Sequence, residues 1–194
     1  MAFVLCLTGV MMAGTGCAKS GQETIGIAEQ YGIAYAPLQI MKEKRFLEEN
    51  IAFAFRGVAQ VLIGIDNGME WRYAAGLSSN EVAVVTSRED MKSLKDVTDK
   101  DMIAILSPAC TQHVLLCMLA EEQLGDAHAL DNQLVSMSHP DSVNALLSGT
   151  EITAHVSTPP YIFQETEGGA SVVATGEEIM GGPFTFITCG AMEK

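Results

Sequence analysis

From residue 24 onward, short apolar runs alternate with amphipathic stretches whose apolar positions recur at helical spacing. Period-two or fully apolar runs bounded by turn residues predict strands, and runs with a 3.6-residue period predict helices. On that basis strands are expected at 24–30 (TIGIAEQ), 51–57 (IAFAFRG), 71–79 (WRYAAGLSS), 81–87 (EVAVVTS) and 102–107 (MIAILS). Further strands follow at 132–138 (NQLVSMS), 152–158 (ITAHVST), 170–175 (ASVVAT) and 184–190 (FTFITCG). Helices are expected at 36–50, with Pro37 in the first turn, and at 58–68, closed by Asn67 and Gly68. The rest fall at 111–125, ending on Gly125, at 140–149, between Pro140 and Gly149, and at 159–168. A polar stretch, REDMKSLKDVTDKD (88–101), marks a composition shift and an expected crossing between two lobes. Alternating strand and helix signals imply an α/β fold with mostly parallel sheets flanked by helices.

The segment before this alternation has a different character. MAFVLCLTGVMMAGTG (1–16) carries no charge, is too short to span a bilayer comfortably, and stops at small residues ahead of Cys17. It reads as the apolar region of a secretion signal, with AKSGQE as a polar tether after it. The junction resembles the lipobox of bacterial lipoproteins. That resemblance implies lipidation of Cys17, and hence an extracytoplasmic protein whose membrane contact is the lipid alone. No Lys or Arg precedes the run, and Gly14 stands where a leucine is usual. The other reading of 1–16 is a buried first helix.

Composition narrows the partners. The chain has 194 residues, 48% of them hydrophobic, enough for an ample core. A formal net charge of −13 with four arginines repels phosphate backbones, so nucleic acid is excluded as a partner. Five scattered cysteines do not form a disulfide framework, and Cys110, Cys117 and Cys189 are expected as free thiols.

In an open α/β sheet, ligands sit beyond the carboxyl ends of the strands, where loops lead into helix N-termini with free N–H groups. The turns at 30–35, 56–59, 77–80, 107–112, 138–141 and 158–161 are mostly small, hydroxylic or aromatic, suited to holding a compact ligand rather than to catalysis. Ser107, Ser138 and Thr158 are equally the residue types that cap helices whatever the function. The sequence holds no nucleophile elbow, phosphate loop or dinucleotide fingerprint, so neither a catalytic residue nor a cofactor is assigned. Cys110, His113 and Cys117 fall along one side of a helix and would offer a metal three ligands, but a packed helix face accounts for them as well, and no metal is assigned. His139 and His155 have no nucleophile or strong acid near them in sequence and read as turn and strand residues.

Five stretches, taken in order, carry a family resemblance: GIAYAPLQIMKEKRFLEEN, GVAQVLIGIDNGMEWRYAAGLSSNEVAVVTS, LSPACTQHVLL, HPDSVNALLSG and HVSTPPYIFQE. Together they resemble the solute-binding proteins of ABC importers, in the group that takes up nitrate, sulfonates, taurine and thiamine precursors. The resemblance implies a bilobal fold of the periplasmic-binding-protein type, a small polar or anionic ligand held between the lobes, and a membrane permease as partner, with the binding protein acting as a monomer. Carried over position by position, it implies ligand contacts at Tyr31, Gly32, Arg56, Gly57, Val58, Ser78 and Ser79, and at Cys110, Thr111, Gln112, Thr158 and Tyr161, Arg56 being the counter-charge for an anion. It implies lobe 1 at 24–87 with 183–194 returning to it, lobe 2 at 88–182, and hinges near 86–100 and 182–187. Two departures stand out. Ala109 and Cys110 replace a usual Gly and Ser, and the first helix runs directly into IAFAF where a further strand and helix are usual, so the resemblance implies a first lobe that lacks an internal βα unit and its C-terminal part. The alternatives are a same-fold enzyme like the thiamine-pyrimidine synthases, whose cysteine-rich motif is absent here, and a truncated, non-functional remnant.

Overall fold

The structure, a computed structural model, describes residues 53–192 and, before them, Glu43. The expectations for Cys17, Tyr31, Gly32 and the strand at 24–30 lie outside the described residues. Within them, every strand and helix expected from 53 onward forms, with boundaries shifted by a few residues.

Strands β1 (Phe53–Gly57) and β2 (Trp71–Ser78) both pair antiparallel with β8 (Ile187–Met192), making a three-stranded sheet in the order β1-β8-β2. Every pairing in this sheet is therefore antiparallel among the described residues, which corrects the mostly parallel expectation there. The two parallel strands are separated by the last strand of the chain, which returns in the opposite sense. The second sheet contains β3 (Ala83–Thr86), β4 (Ile103–Ile105), β5 (Leu134–Ser136), β6 (Ala154–Ser157) and β7 (Ser171–Thr175), in the order β5-β4-β6-β3-β7. Here β4 is parallel to β5 and β6, while β3 is antiparallel to β6 and β7. Four of its five strands thus point one way.

The placement of β3 moves the expected lobe boundary. The sequence reading ended the first lobe at residue 87, but Ala83–Thr86 is an interior strand of the five-stranded sheet. The chain crosses between sheets over 79–82 and returns over 181–186. The polar stretch 88–101 is instead stapled to the larger sheet. Arg88 Nη1 donates to Asp101 Oδ2 at 2.5 Å and to the Asp96 carbonyl at 3.1 Å, and Met91 and Leu94 are buried in the core. Its composition reflects a surface loop held by its own ion pairs.

The three inner strands of the larger sheet, β3, β4 and β6, are buried along their whole length, which suits the apolar runs of β3 and β4, while β6 carries the buried polar His155 and Ser157. Successive side chains alternate between two cores. Val84, Ile103, Ile105 and Val156 pack under α2 (Thr111–Leu124) with Leu115, Leu116 and Leu119. Ala83, Val85 and Ala104 face Leu146 of α3 (His139–Ser148) and Ile162 of α4 (Tyr161–Glu167). Ile187 and Cys189 of the smaller sheet join the first of these cores. The helix α1 (Val58–Asp66) follows β1 directly and packs against the smaller sheet and α2. The short α5 (Gly176–Met180) was not expected from its sequence. Its signal is a capping box: Glu178 N donates to Thr175 Oγ1 at 3.3 Å, and Thr175 N donates back to Glu178 Oε2 at 2.8 Å.

Candidate functional site

Because β1 and β2 are parallel, their carboxyl ends lie on the same rim of the smaller sheet. Gly57 and Ser78 are both registered against Ile187, on opposite sides of β8. Two strand spacings place them about 10 Å apart. In the larger sheet β4, β5 and β6 are parallel, so the turns that lead into α2, α3 and α4 share one rim as well.

The two rims meet at one point. A Cβ placed on Gly57 would lie 2.5 Å from Thr111 Oγ1, so the turn after β1 packs against the first residue of α2 without intervening space. Thr111 is 4% exposed, and its hydroxyl has no hydrogen-bond partner among the described residues. The hydroxyl of Ser157, at the end of β6, is likewise buried and unpartnered. A buried polar group without a partner costs stability, so two such hydroxyls on one rim mark where an external polar group would be stabilised.

The other expected contacts divide. Thr158 is 3% exposed, and its carbonyl accepts from Tyr161 N at 2.9 Å, the start of α4. Val58 N donates to the Phe186 carbonyl at 3.0 Å and so serves the fold. Cys110 is the N-cap of α2: its Sγ accepts from His113 N at 3.4 Å, the structural role that a Ser would fill. Arg56 is exposed, and its carbonyl accepts from Thr188 Oγ1 at 3.1 Å. Ser78 ties the two crossing segments together, its carbonyl accepting from Phe186 N at 2.7 Å and its Oγ donating to Asn80 Oδ1 at 2.8 Å. Ser79 lines a separate hollow of about 260 Å³ with Asn80, Glu81, Thr175, Glu177 and Phe184. Ser79 therefore does not join the Gly57–Thr111 contact.

Behind the α2 N-terminus lies a chain of buried polar side chains that the sequence did not reveal. Gln112 Nε2 is 3.3 Å from His139 Nε2, His139 Nδ1 is 2.8 Å from His155 Nε2, and His155 Nδ1 is 2.5 Å from Glu165 Oε1. His139, His155 and Glu165 are at most 1% exposed. Tyr161 stacks on the His139 ring at 5.2 Å between centroids and 21° between planes. Burial, reinforced by the neighbouring His155, pushes the His139 pKa down to about 3. The strong acid that sequence spacing failed to supply for these histidines is Glu165. Its signal was positional: on α4 it falls three residues after buried Ile162, on the inward face of the helix.

The Cys110, His113 and Cys117 trio gathers as expected along α2, with His113 Nε2 3.5 Å from Cys117 Sγ. No group of three His, Cys, Asp or Glu side chains among the described residues is arranged to hold a metal ion. His113 and Cys117 instead border an apolar hollow of about 830 Å³ between α1 and α2, together with Ile63, Pro108, Val114 and Met118. Gly57, Thr111, Gln112 and Thr158 do not line it.

Comparison with solved structures fixes the fold. The alkanesulfonate-binding protein SsuA from Xanthomonas axonopodis pv. citri, bound to MOPS, superposes with a TM-score of 0.60 at 18% identity, covering 87% of this chain and 65% of that one. The periplasmic aliphatic sulphonate binding protein SsuA from Escherichia coli gives 0.55 at 18% identity, covering 81% and 60%. The zinc-bound ligand binding component of an ABC-type import system from Staphylococcus aureus gives 0.55 at 16%, covering 79% and 50%. The chain has the α/β fold of the periplasmic binding proteins, and it spans one half to two thirds of the length of these structures. No family model and no curated protein matches the sequence.

Proposed function

We propose that this chain is a solute-binding component of an ABC importer, capturing a small polar molecule between the rims of its two sheets and delivering it to a membrane permease. In this reading it works outside the cytoplasmic membrane, tethered through a lipid on Cys17, and does not transform what it binds. The observation that carries the reading is the meeting of Gly57 with Thr111. A strand end of the smaller sheet meets the rim of the larger one there, at the buried Thr111 hydroxyl, and the same rim carries a second buried hydroxyl at Ser157; neither has a partner among the described residues. Polar turns at the carboxyl ends of strands hold a ligand with hydroxyls and backbone donors, and nothing in the reading requires a nucleophile. The fold supports it, and the sulfonate-binding neighbours name one ligand class to try first.

The test is calorimetric titration and thermal-shift screening of the full chain against methanesulfonate, nitrate, pyrimidine, and the amino-bearing counterparts of the first and third. At least one probe is expected to bind one to one and raise the melting temperature, with the effect weakened at least tenfold in Thr111→Val. If every probe leaves the melting curve unmoved, or if the Thr111 change has no effect on the one that binds, the reading fails.

A further inference from the structure

The hollow between α1 and α2 has no part in the rim of strand ends. Its volume of about 830 Å³ is within the range that small-molecule sites occupy. Ile63 comes from α1, Pro108 from the turn before α2, and Val114, Cys117 and Met118 from α2 itself. Ile63 is 39% exposed and Met118 42%, so apolar side chains here face solvent, where covering them is favourable.

The charged groups around this apolar wall are of one sign. Glu121 and Glu122 line the hollow, and no Lys or Arg does so among the described residues. Glu121 Oε2 accepts from Ala127 N at 2.9 Å, whereas the exposed Glu122 has no ion pair or hydrogen bond among the described residues. The two histidines of the wall are engaged: His113 Nε2 lies 3.5 Å from Cys117 Sγ, and His128 Nδ1 lies 3.1 Å from Asp131 Oδ2. The Cys117 thiol senses the same surroundings. Burial raises its pKa above the ordinary thiol value, and the Asp131 carboxylate raises it further. An apolar wall favours an apolar body, and negative potential across it favours a positive head. The net charge of −13 acts in the same sense and opposes a second copy of this chain as the occupant.

We infer that this hollow is a binding site for a small molecule with an apolar body and an ammonium head, distinct from the rim of strand ends. The body rests on Ile63, Val114 and Met118, and the ammonium lies toward Glu122, the carboxylate that no described residue compensates. Gly57, Thr111, Gln112 and Thr158 do not line the hollow, so its occupancy is a separate event from solute capture at the rim.

The test is titration of the full chain with three probes of one shape and different charge: 4-phenylbutylamine, 4-phenyl-1-butanol and 4-phenylbutyrate. Calorimetry reads the affinity, and the Met118 methyl resonance, assigned with Met118→Leu, reads whether the probe is in the hollow. The amine is expected to bind one to one and to move that methyl, about fivefold tighter than the alcohol and about 20-fold tighter than the butyrate. Glu122→Gln, at an exposed position, is expected to weaken the amine and favour the butyrate, lowering their affinity ratio about threefold. Sedimentation of the free chain is expected to show a monomer. Alcohol or butyrate binding as tightly as the amine, a ratio unchanged in Glu122→Gln, or a Met118 methyl that no probe moves overturns the inference. So does a dimer whose formation shifts the Met118 methyl and excludes the amine, because the occupant is then a second copy.

Discussion

Gly57, which ends β1, and Thr111, which opens α2, lie 54 positions apart in sequence and touch so closely that the glycine hydrogen occupies the only space between them. A methyl group at residue 57 would meet Thr111 Oγ1 at 2.5 Å and Gln60 Oε1 at 3.2 Å. Gly57→Ala is therefore expected to destabilise the chain by about 2 kcal/mol through overpacking. Thr111→Ala removes a hydroxyl that has no protein partner, so it should cost little alone and should recover most of the loss in the double variant. Urea denaturation of the four chains closes this cycle. Strictly additive losses would mean that the two residues do not meet.

Ala109 adopts φ 61°, the left-handed region that a side chain occupies only at a cost of about 1–2 kcal/mol. The backbone is held there because Ala109 N donates to His113 Nδ1 at 3.1 Å, just ahead of the Cys110 cap. Ala109→Gly relieves this strain but gives the unfolded chain more freedom, which returns about half of the gain. The net expectation is a stabilisation of about 0.5 kcal/mol and a melting temperature higher by roughly 1–2 °C. A lower melting temperature in calorimetry would contradict the strain.

Most of the architecture was legible in the sequence because its signals are local. The apolar runs at Ala83–Thr86 and Ile103–Ile105, and the stops at Gly125 (φ 79°) and Gly149 (φ 65°), act within a few residues. What was not legible depends on distant partners. The sheet to which Ala83–Thr86 belongs is decided by pairing with Ser157 and Thr175, dozens of residues away, and no pattern inside the strand encodes that. The same holds at the site. The turns at Gly57, Thr111 and Thr158 follow from strand direction, whereas the link from Gln112 to Glu165 requires four elements, α2, α3, β6 and α4, to be packed first. Histidines that lack an acid nearby in sequence can still have one in space.

His139 makes acid stability a readout of the buried chain of side chains from Gln112 to Glu165. In the unfolded chain its proton is taken up near pH 6.5, while in the native state it is refused until about 3. Between those values the unfolded state binds more protons, so stability falls as the pH is lowered through this window. Each unit contributes about 1.4 kcal/mol, or roughly 2–3 kcal/mol between pH 6.5 and 4.5, before the depressed carboxylates begin to titrate. Denaturant titrations at these two pH values should show that loss in the native chain, and His139→Asn should remove most of it. An unchanged pH dependence in the variant would place the titrating group elsewhere.

The loop over 88–101 and the segments 79–82 and 181–186 make opposite predictions about mobility. Asp101 is 3% exposed and accepts from Thr98 N and Thr98 Oγ1, each at 2.8 Å, as well as from Arg88. Burial alone would raise its pKa, yet the bonds from Thr98, with Arg88 beside them, hold it below the ordinary carboxylate value. Asp101→Ala leaves these donors unsatisfied and should cost about 2–3 kcal/mol. The amides that the ion pairs and the core protect should then exchange as slowly as those of the β3 strand in the native chain. Of the backbone amides in the crossing segments, that of Phe186 donates to the Ser78 carbonyl at 2.7 Å, while the bonds at the Phe186 and Val82 carbonyls come from Val58 N and Gly176 N outside them, so the amides of 79–82 and 184–185 should exchange faster. If the two halves move relative to each other on binding, the φ and ψ changes must fall in 79–82 and 181–186, because the 88–101 loop belongs wholly to the larger sheet. Hydrogen exchange resolved by peptide decides this: protected crossings beside a freely exchanging 88–101 loop would restore the hinge to the polar stretch where the sequence first placed it.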